Sequence, residues 1–173
     1  TLSTVGGNLD IYLVALADGA LTRVTSDPAI DTEAVFSPDG RSLYFTSDRA
    51  GSPQIYRAEA LANAPAKRMT FTGSYNARPR LSPDGKQLAM VTLAGGSYRV
   101  AVQDLATGVV RQLTKGPLDE SPSFAPNGAM LIYAGRDRGQ GVLATVAIDG
   151  LTTQRLKADE GEVREPVWGP RRP

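Results

Sequence analysis

Four copies of one turn pattern recur along this chain: Ser37-Pro38-Asp39-Gly40, Ser82-Pro83-Asp84-Gly85, Ala125-Pro126-Asn127-Gly128 and a clipped Gly169-Pro170. The prolines stand at 38, 83, 126 and 170, so successive copies are 45, 43 and 44 residues apart. Proline presets φ at the second turn position, Asp or Asn bonds its own backbone, and glycine relieves the exit, so each copy makes a tight hairpin turn. A period of about 40–45 residues built from short strands between such turns is the mark of a β-propeller blade.

The segments around the turns have the composition that a blade requires. First strands run into them as DTEAVF from Asp31, NARPRL from Asn76, DESPSF from Asp119 and VREPVW from Val163. Second strands follow as Leu43–Thr46, Leu88–Val91 and Leu131–Ala134, apolar at nearly every position, as a strand covered on both faces must be. Third strands recur at Asp10–Leu13, Gln54–Arg57, Tyr98–Ala101 and Val142–Thr145. Fourth strands end at Thr25, Thr70, Thr114 and Leu156. The expectation is an all-β chain of four-stranded antiparallel meanders, with blade units of approximately 1–30, 31–75, 76–118 and 119–162. Residues 163–170 then stand as a first strand without its own blade, able to close a ring by pairing beside the N-terminal strands. Tyr12, Phe36, Tyr56, Phe124 and Trp168 are expected in the core, because they lie inside strands.

Composition narrows the chemistry. The chain has no histidine and no cysteine, which excludes a Ser-His-Asp triad, a thiol nucleophile, thiolate metal sites and the usual zinc sites within it. It carries no G-x-S-x-G elbow, phosphate loop or dinucleotide fingerprint. A formal net charge of +1 lacks the basic excess of a nucleic-acid binder, and no apolar run approaches the ~20 residues that cross a bilayer. Paired carboxylates remain the one route to acid/base chemistry. Asp39, Asp84 and Asn127 are expected to serve their turns rather than a metal, so no cofactor is expected.

An up-and-down meander places the Pro-Asx-Gly turns on one face and the entries of the first strands on the other. First strands surround the central channel of a propeller, so Thr32, Glu33, Asn76, Arg78, Asp119, Glu120, Ser121, Arg164 and Glu165 are expected around its mouth. The loops near Asp48-Arg49, Gly95-Gly96 and Arg136–Arg138 would form the rim. Glu33, Arg78, Arg164 and Glu165 suit either partner recognition or ion pairs between blades.

The phrases SPDGRSLYFTSDR, SYNARPRLSPDGK, LDESPSFAPNG and EVREPVWGP resemble the C-terminal propeller of the TolB family, a periplasmic component of the Tol-Pal system of Gram-negative bacteria. The resemblance spans nearly the whole chain. It departs from the pattern at Ala34, where the other units have Pro79, Pro122 and Pro166, and in the Ala-rich hairpin of residues 59–66. The resemblance implies the last four blades of a six-bladed propeller that follows an N-terminal α/β domain. It further implies a non-catalytic protein-interaction scaffold in cell-envelope integrity, cell division, protein transport and colicin import. The partners implied are the Pal lipoprotein and the translocation segments of colicins at the channel mouth, with TolA and other Tol proteins engaged through the N-terminal domain. The location implied is the periplasm, peripheral to the outer membrane and not inserted in it. Two other classes fit the repeats alone: the propeller of a larger serine hydrolase of the prolyl oligopeptidase type, and a carbohydrate-acting propeller with channel carboxylates.

Overall fold

A computed structural model of the chain describes residues 2–3, 8–156 and 163–169. Among them there are only strands, turns and loops, with no helix, as the turn spacing predicts. The chain forms two compact bodies, residues 1–79 and 80–173.

The first body opens with β1 (Leu2–Ser3), paired with β2 (Leu9–Asp10), followed by the ribbon β3 (Tyr12–Val14) with β4 (Leu21–Arg23). A complete meander follows: β5 (Asp31–Phe36), β6 (Ser42–Ser47), β7 (Gln54–Glu59) and β8 (Lys67–Arg68), hydrogen-bonded in chain order. Every residue of β6 is buried, which is what a strand apolar on both faces implies. Phe45 and Ile11 are fully buried here, packed with Val24, Leu43, Tyr56 and Ala58. The Ala-rich hairpin is a loop rather than a helix. Ala60, Ala64 and Ala66 close over that core, and the Asn63 amide donates to the Arg23 carbonyl at 3.1 Å.

Next in chain order the meander of β9 (Asn76–Leu81), β10 (Gln87–Ala94), β11 (Ser97–Asp104) and β12 (Val110–Gln112) is followed by that of β13 (Asp119–Phe124), β14 (Met130–Asp137), β15 (Gln140–Ala147) and β16 (Thr153–Leu156); the second body begins within β9, at Arg80. Their shared core holds Ala89, Val100, Val102, Phe124, Leu131 and Val146. Burying a side chain of this size stabilises by roughly 1.5–3 kcal/mol.

Residues 163–169 carry no sheet pairing among the described residues; the Trp168 amide donates to Ser123 Oγ at 3.2 Å. Of the aromatic residues expected in the core, Tyr56 and Phe124 are buried and Tyr12 is half-buried. Phe36 is 53% exposed and Trp168 37% exposed, which corrects that expectation. An aromatic side chain on a first strand is buried only where another sheet covers its face, and Phe124 has that cover from β10 and β11.

The turns repeat one hydrogen-bond pattern. Ser37 Oγ donates to Asp39 Oδ1 at 2.6 Å, the same oxygen accepts the Arg41 amide at 3.1 Å, and Ser37 Oγ accepts the Ser42 amide at 3.0 Å. Ser82, Asp84, Lys86 and Gln87 repeat it. These bonds, the serine hydroxyl foremost, hold both carboxyls below the usual carboxylate range. In the third copy Ala125 has no hydroxyl to offer, and Asn127 Oδ1 accepts only the Ala129 amide, at 3.0 Å.

Candidate functional site

The first strands β5, β9 and β13 leave regular β geometry at the same place, and the segment of residues 163–169, which carries no sheet pairing among the described residues, shares the backbone angle. Glu33, Arg78, Ser121 and Glu165 adopt φ of 58°, 55°, 54° and 48°, and each lies five residues before the proline of its turn. The register shifts there: Thr32 faces Thr46 and Val35 faces Tyr44, while Glu120 faces Ala134 and Ser123 faces Ile132. Two residues therefore oppose one, which is a β-bulge. A left-handed conformation costs a non-glycine residue on the order of 1–3 kcal/mol and persists only where the surroundings hold it. Pro79, Pro122 and Pro166 directly follow three of these residues, because a bulge on an edge strand tolerates a residue without an amide hydrogen.

In the first body the bulges are linked to one another. Glu33 Oε2 accepts the Thr46 hydroxyl at 2.7 Å and the Arg78 amide at 3.0 Å, and Arg78 Nε lies 3.4 Å from Glu33 Oε1. The side chain of one bulge thus fixes the backbone of the next. Both side chains are about one-third exposed, so the pair remains open to solvent. Thr46, on a strand that the sequence marks as core, completes this arrangement. Its residue type gives no sign of that role.

The residues that open the first strands are buried and tie down the loops before them. Asp31 accepts two hydrogen bonds from Arg49 Nη2, at 2.9 and 2.8 Å, and the guanidinium lies over the Tyr56 and Phe45 rings at 4.8 and 5.5 Å. Asn76 Nδ2 donates to Gln54 Oε1 and to the Thr72 carbonyl, both at 2.9 Å, and Thr70 Oγ1 donates to the same Gln54 oxygen at 2.8 Å. Asp119 Oδ2 accepts the Gly116 amide at 2.8 Å. A methyl group on Gly116 or Gly135 would lie 2.3 or 2.8 Å from Asp119 Oδ1, so both glycines are required by this carboxylate. Burial foremost, and then Asp119, pushes the Tyr133 hydroxyl up to about 12.

Of the residues expected at the mouth, Thr32, Glu33, Arg78 and Glu120 are half-exposed, and Arg164 and Glu165 are exposed. Asn76, Asp119 and Ser121 are buried. Glu120 and Arg164 both line a pocket of about 120 Å³ in the second body, with Leu118, Ala134, Gly135, Arg136, Gly141 and Val163. Among the described residues no cluster of metal-ligating side chains occurs, and no helix is long and apolar enough to cross a membrane.

Four-stranded antiparallel meanders in chain order, second strands with buried centres and a left-handed residue five positions before each turn proline define the class: this chain is built of β-propeller blades. The profile of the TolB beta propeller domain matches residues 1–172, and the chain belongs to that family. It is 48% identical over 161 residues to the Tol-Pal system protein TolB of Bordetella pertussis, covering 92% of this chain and 36% of that protein. With the TolB of Nitrosospira multiformis it shares 52% identity over 107 residues, 62% of this chain and 24% of that one. The crystal structure of TolB from Acinetobacter baumannii superposes with a TM-score of 0.89 at 49% identity, over 97% of this chain and 42% of that chain. The chain thus spans less than half the length of each of these relatives.

Proposed function

We propose that this segment is the non-catalytic recognition propeller of a Tol-Pal envelope protein, and that the entries of its first strands form the surface that receives a protein partner. The partner is the Pal lipoprotein, and colicin translocation segments use the same mouth. TolA and other Tol proteins engage a domain outside this sequence. In this reading the protein works in the periplasm, peripheral to the outer membrane, and binds no nucleic acid. Residues 163–170 act as the first strand of a further blade unit in this reading.

One observation carries the proposal. At 33, 78, 121 and 165 the chain accepts left-handed strain at equivalent positions, three of them charged, while the neighbouring turns and second strands are regular. Strain that recurs at one place in each repeat, and is held there by specific bonds, marks a position that sets where side chains point. Thr32, Glu33, Arg78, Glu120, Arg164 and Glu165 are the contact residues in this reading. Asn76, Asp119 and Ser121 hold the backbone beneath them.

Calorimetric titration of the full-length protein with the globular domain of Pal tests this. Glu33→Ala and Arg164→Ala should each weaken binding, by about 2–5 kcal/mol where the contact is a buried charge pair and by much less at the rim. Unchanged affinity in both variants would contradict the proposal. With no histidine or cysteine in the chain, the account also expects no turnover of peptide or glycoside. Hydrolysis abolished by Glu33→Gln would contradict that part.

A further inference from the structure

In three units the fourth strand runs into the same anchor. Thr25, Thr70 and Thr114 are buried, and their hydroxyl oxygens accept the amides of Ile11, Ile55 and Val100 at 3.0, 2.9 and 2.9 Å. Two residues earlier stand Arg23, Arg68 and Gln112, each donating a side-chain hydrogen bond to the carbonyl of that threonine, at 2.9, 2.6 and 2.7 Å. The residue after the threonine has no common chemistry: it is Ser26, Phe71 or Lys115. Serine and lysine serve at this position as well as phenylalanine does, so the fold does not ask for a ring there.

Phe71 is 74% exposed, on the loop that leads into β9. Arg68 Nε holds the Thr70 carbonyl, and Asn76 Nδ2 holds the Thr72 carbonyl at 2.9 Å, so the backbone is fixed on both sides of the ring. The Arg68 guanidinium lies over that ring, 5.3 Å from its centroid. Its counterpart Arg23 pairs through Nη2 with Asp10, the residue before Ile11. Before Ile55 stands Gln54 instead, whose Oε1 is taken by Thr70 and Asn76. Arg68 therefore makes no ion pair among the described residues, and its Nη atoms donate to none of them.

We propose that Phe71 and Arg68 form a two-part docking platform for a protein partner, which lays an apolar side chain on the ring and brings an aspartate or glutamate to the guanidinium. The inference rests on the strand-entry face being the partner surface and adds to it an anchor away from the bulges. Charge complementarity selects the occupant: a guanidinium with unpaired Nη atoms presents N–H donors that match the two oxygens of a carboxylate. Aromatic and arginine side chains are also the types enriched at protein interfaces, and the stack holds this pair in one geometry before binding. A lipid surface would need a broad apolar face. Thr72, Gly73 and Ser74, exposed beside the ring, do not extend it.

The repeat supplies the variants. Phe71→Ser and Arg68→Gln introduce the residue types that stand at 26 and 112, so both should fold with the parent's melting temperature. The full-length protein carrying each change is titrated with the globular domain of Pal at low and at high salt. Loss of an interface aromatic predicts about tenfold weaker binding for Phe71→Ser at either salt. Arg68→Gln keeps a donor for the Thr70 carbonyl and loses the charge, so it should weaken binding by up to about fivefold at low salt and much less at high salt. Parent affinity in both variants, with Glu33→Ala still weakened, would overturn the platform and leave the mouth as the partner surface. Failure of the parent protein to bind would overturn the mouth reading and this inference with it. A fall in the melting temperature of Phe71→Ser would show that the ring serves the fold, and parent binding to phosphatidylglycerol vesicles that Phe71→Ser abolishes would show a lipid contact; either result would overturn the proposal.

Discussion

Asp31 and Asp119 open equivalent strands, one in each body, and are held by opposite means. Asp31 meets Arg49, which donates two bonds and lies over two rings. Asp119 accepts the Gly116 amide and fills the space left by Gly116 and Gly135. Asp31 faces Ser47 across the ladder, and Asp119 faces Gly135. Two residues beyond Ser47 stands Arg49; two beyond Gly135 stands Asp137, which pairs outward with Arg155 instead. The same repeat position is thus anchored by a charged side chain lying over aromatic rings in the first body, and by a backbone amide and the room two glycines leave in the second. An arginine anchor ties stability to a charge pair, and a backbone anchor ties it to the small residues around it.

The largest test of this contrast is to remove each carboxylate. Asp31→Ala leaves Arg49, 17% exposed, beside aromatic rings with Ser47 Oγ at 2.9 Å and the Asp27 carboxylate at 3.9 Å as its remaining partners, and should cost up to about 3–5 kcal/mol. Asp119→Ala removes one hydrogen bond to an amide and should cost about 1–3 kcal/mol. Urea melts giving equal losses would show that the two strands are anchored alike. Next in size is Gly135→Ala, expected to destabilise by about 1–3 kcal/mol because its methyl group meets a carboxylate oxygen. In an Asp119→Ala background most of that cost should vanish. A double-mutant cycle with no coupling would place the obstruction elsewhere.

The smallest effect belongs to the turns on the other face. Asp39 is depressed by the Ser37 hydroxyl and the Arg41 amide, so its contribution to stability is present above the ordinary carboxylate range and is lost as pH falls through its folded value. Ser37→Ala should raise the Asp39 value toward normal in an NMR titration. The Asn127 turn has no carboxylate and should show no such dependence. An unmoved Asp39 would show that the hydroxyl is not the cause.

The turns and second strands were legible because their chemistry is local. Pro-Asx-Gly makes its turn wherever it stands, and the apolar run Leu43–Phe45 needs cover on both faces. The bulge was not legible: Glu33, Arg78, Ser121 and Glu165 share a backbone angle and no side-chain chemistry, and only the prolines after three of them hint at it. Polar residues at 76 and 119 read as surface, yet their amide and carboxylate serve loops that the linear pattern does not bring near. Arg136–Arg138 were visible as rim residues, but the pairing of Asp137 with Arg155 of the fourth strand was not, because 18 residues separate them. Phe36 reads as core because periodicity records which face a residue occupies and not whether another sheet covers that face.

The central claim is that partners meet the entries of the first strands and not the Pro-Asx-Gly turns. A photo-crosslinking residue placed at Glu165 in the full-length protein, and separately at Lys86 beside a turn, reads this directly. The account predicts a covalent adduct with the globular domain of Pal from position 165, lost when Arg164 is replaced by Glu, and none from position 86. An adduct from position 86 with none from position 165 would put the recognition surface on the opposite face and contradict it.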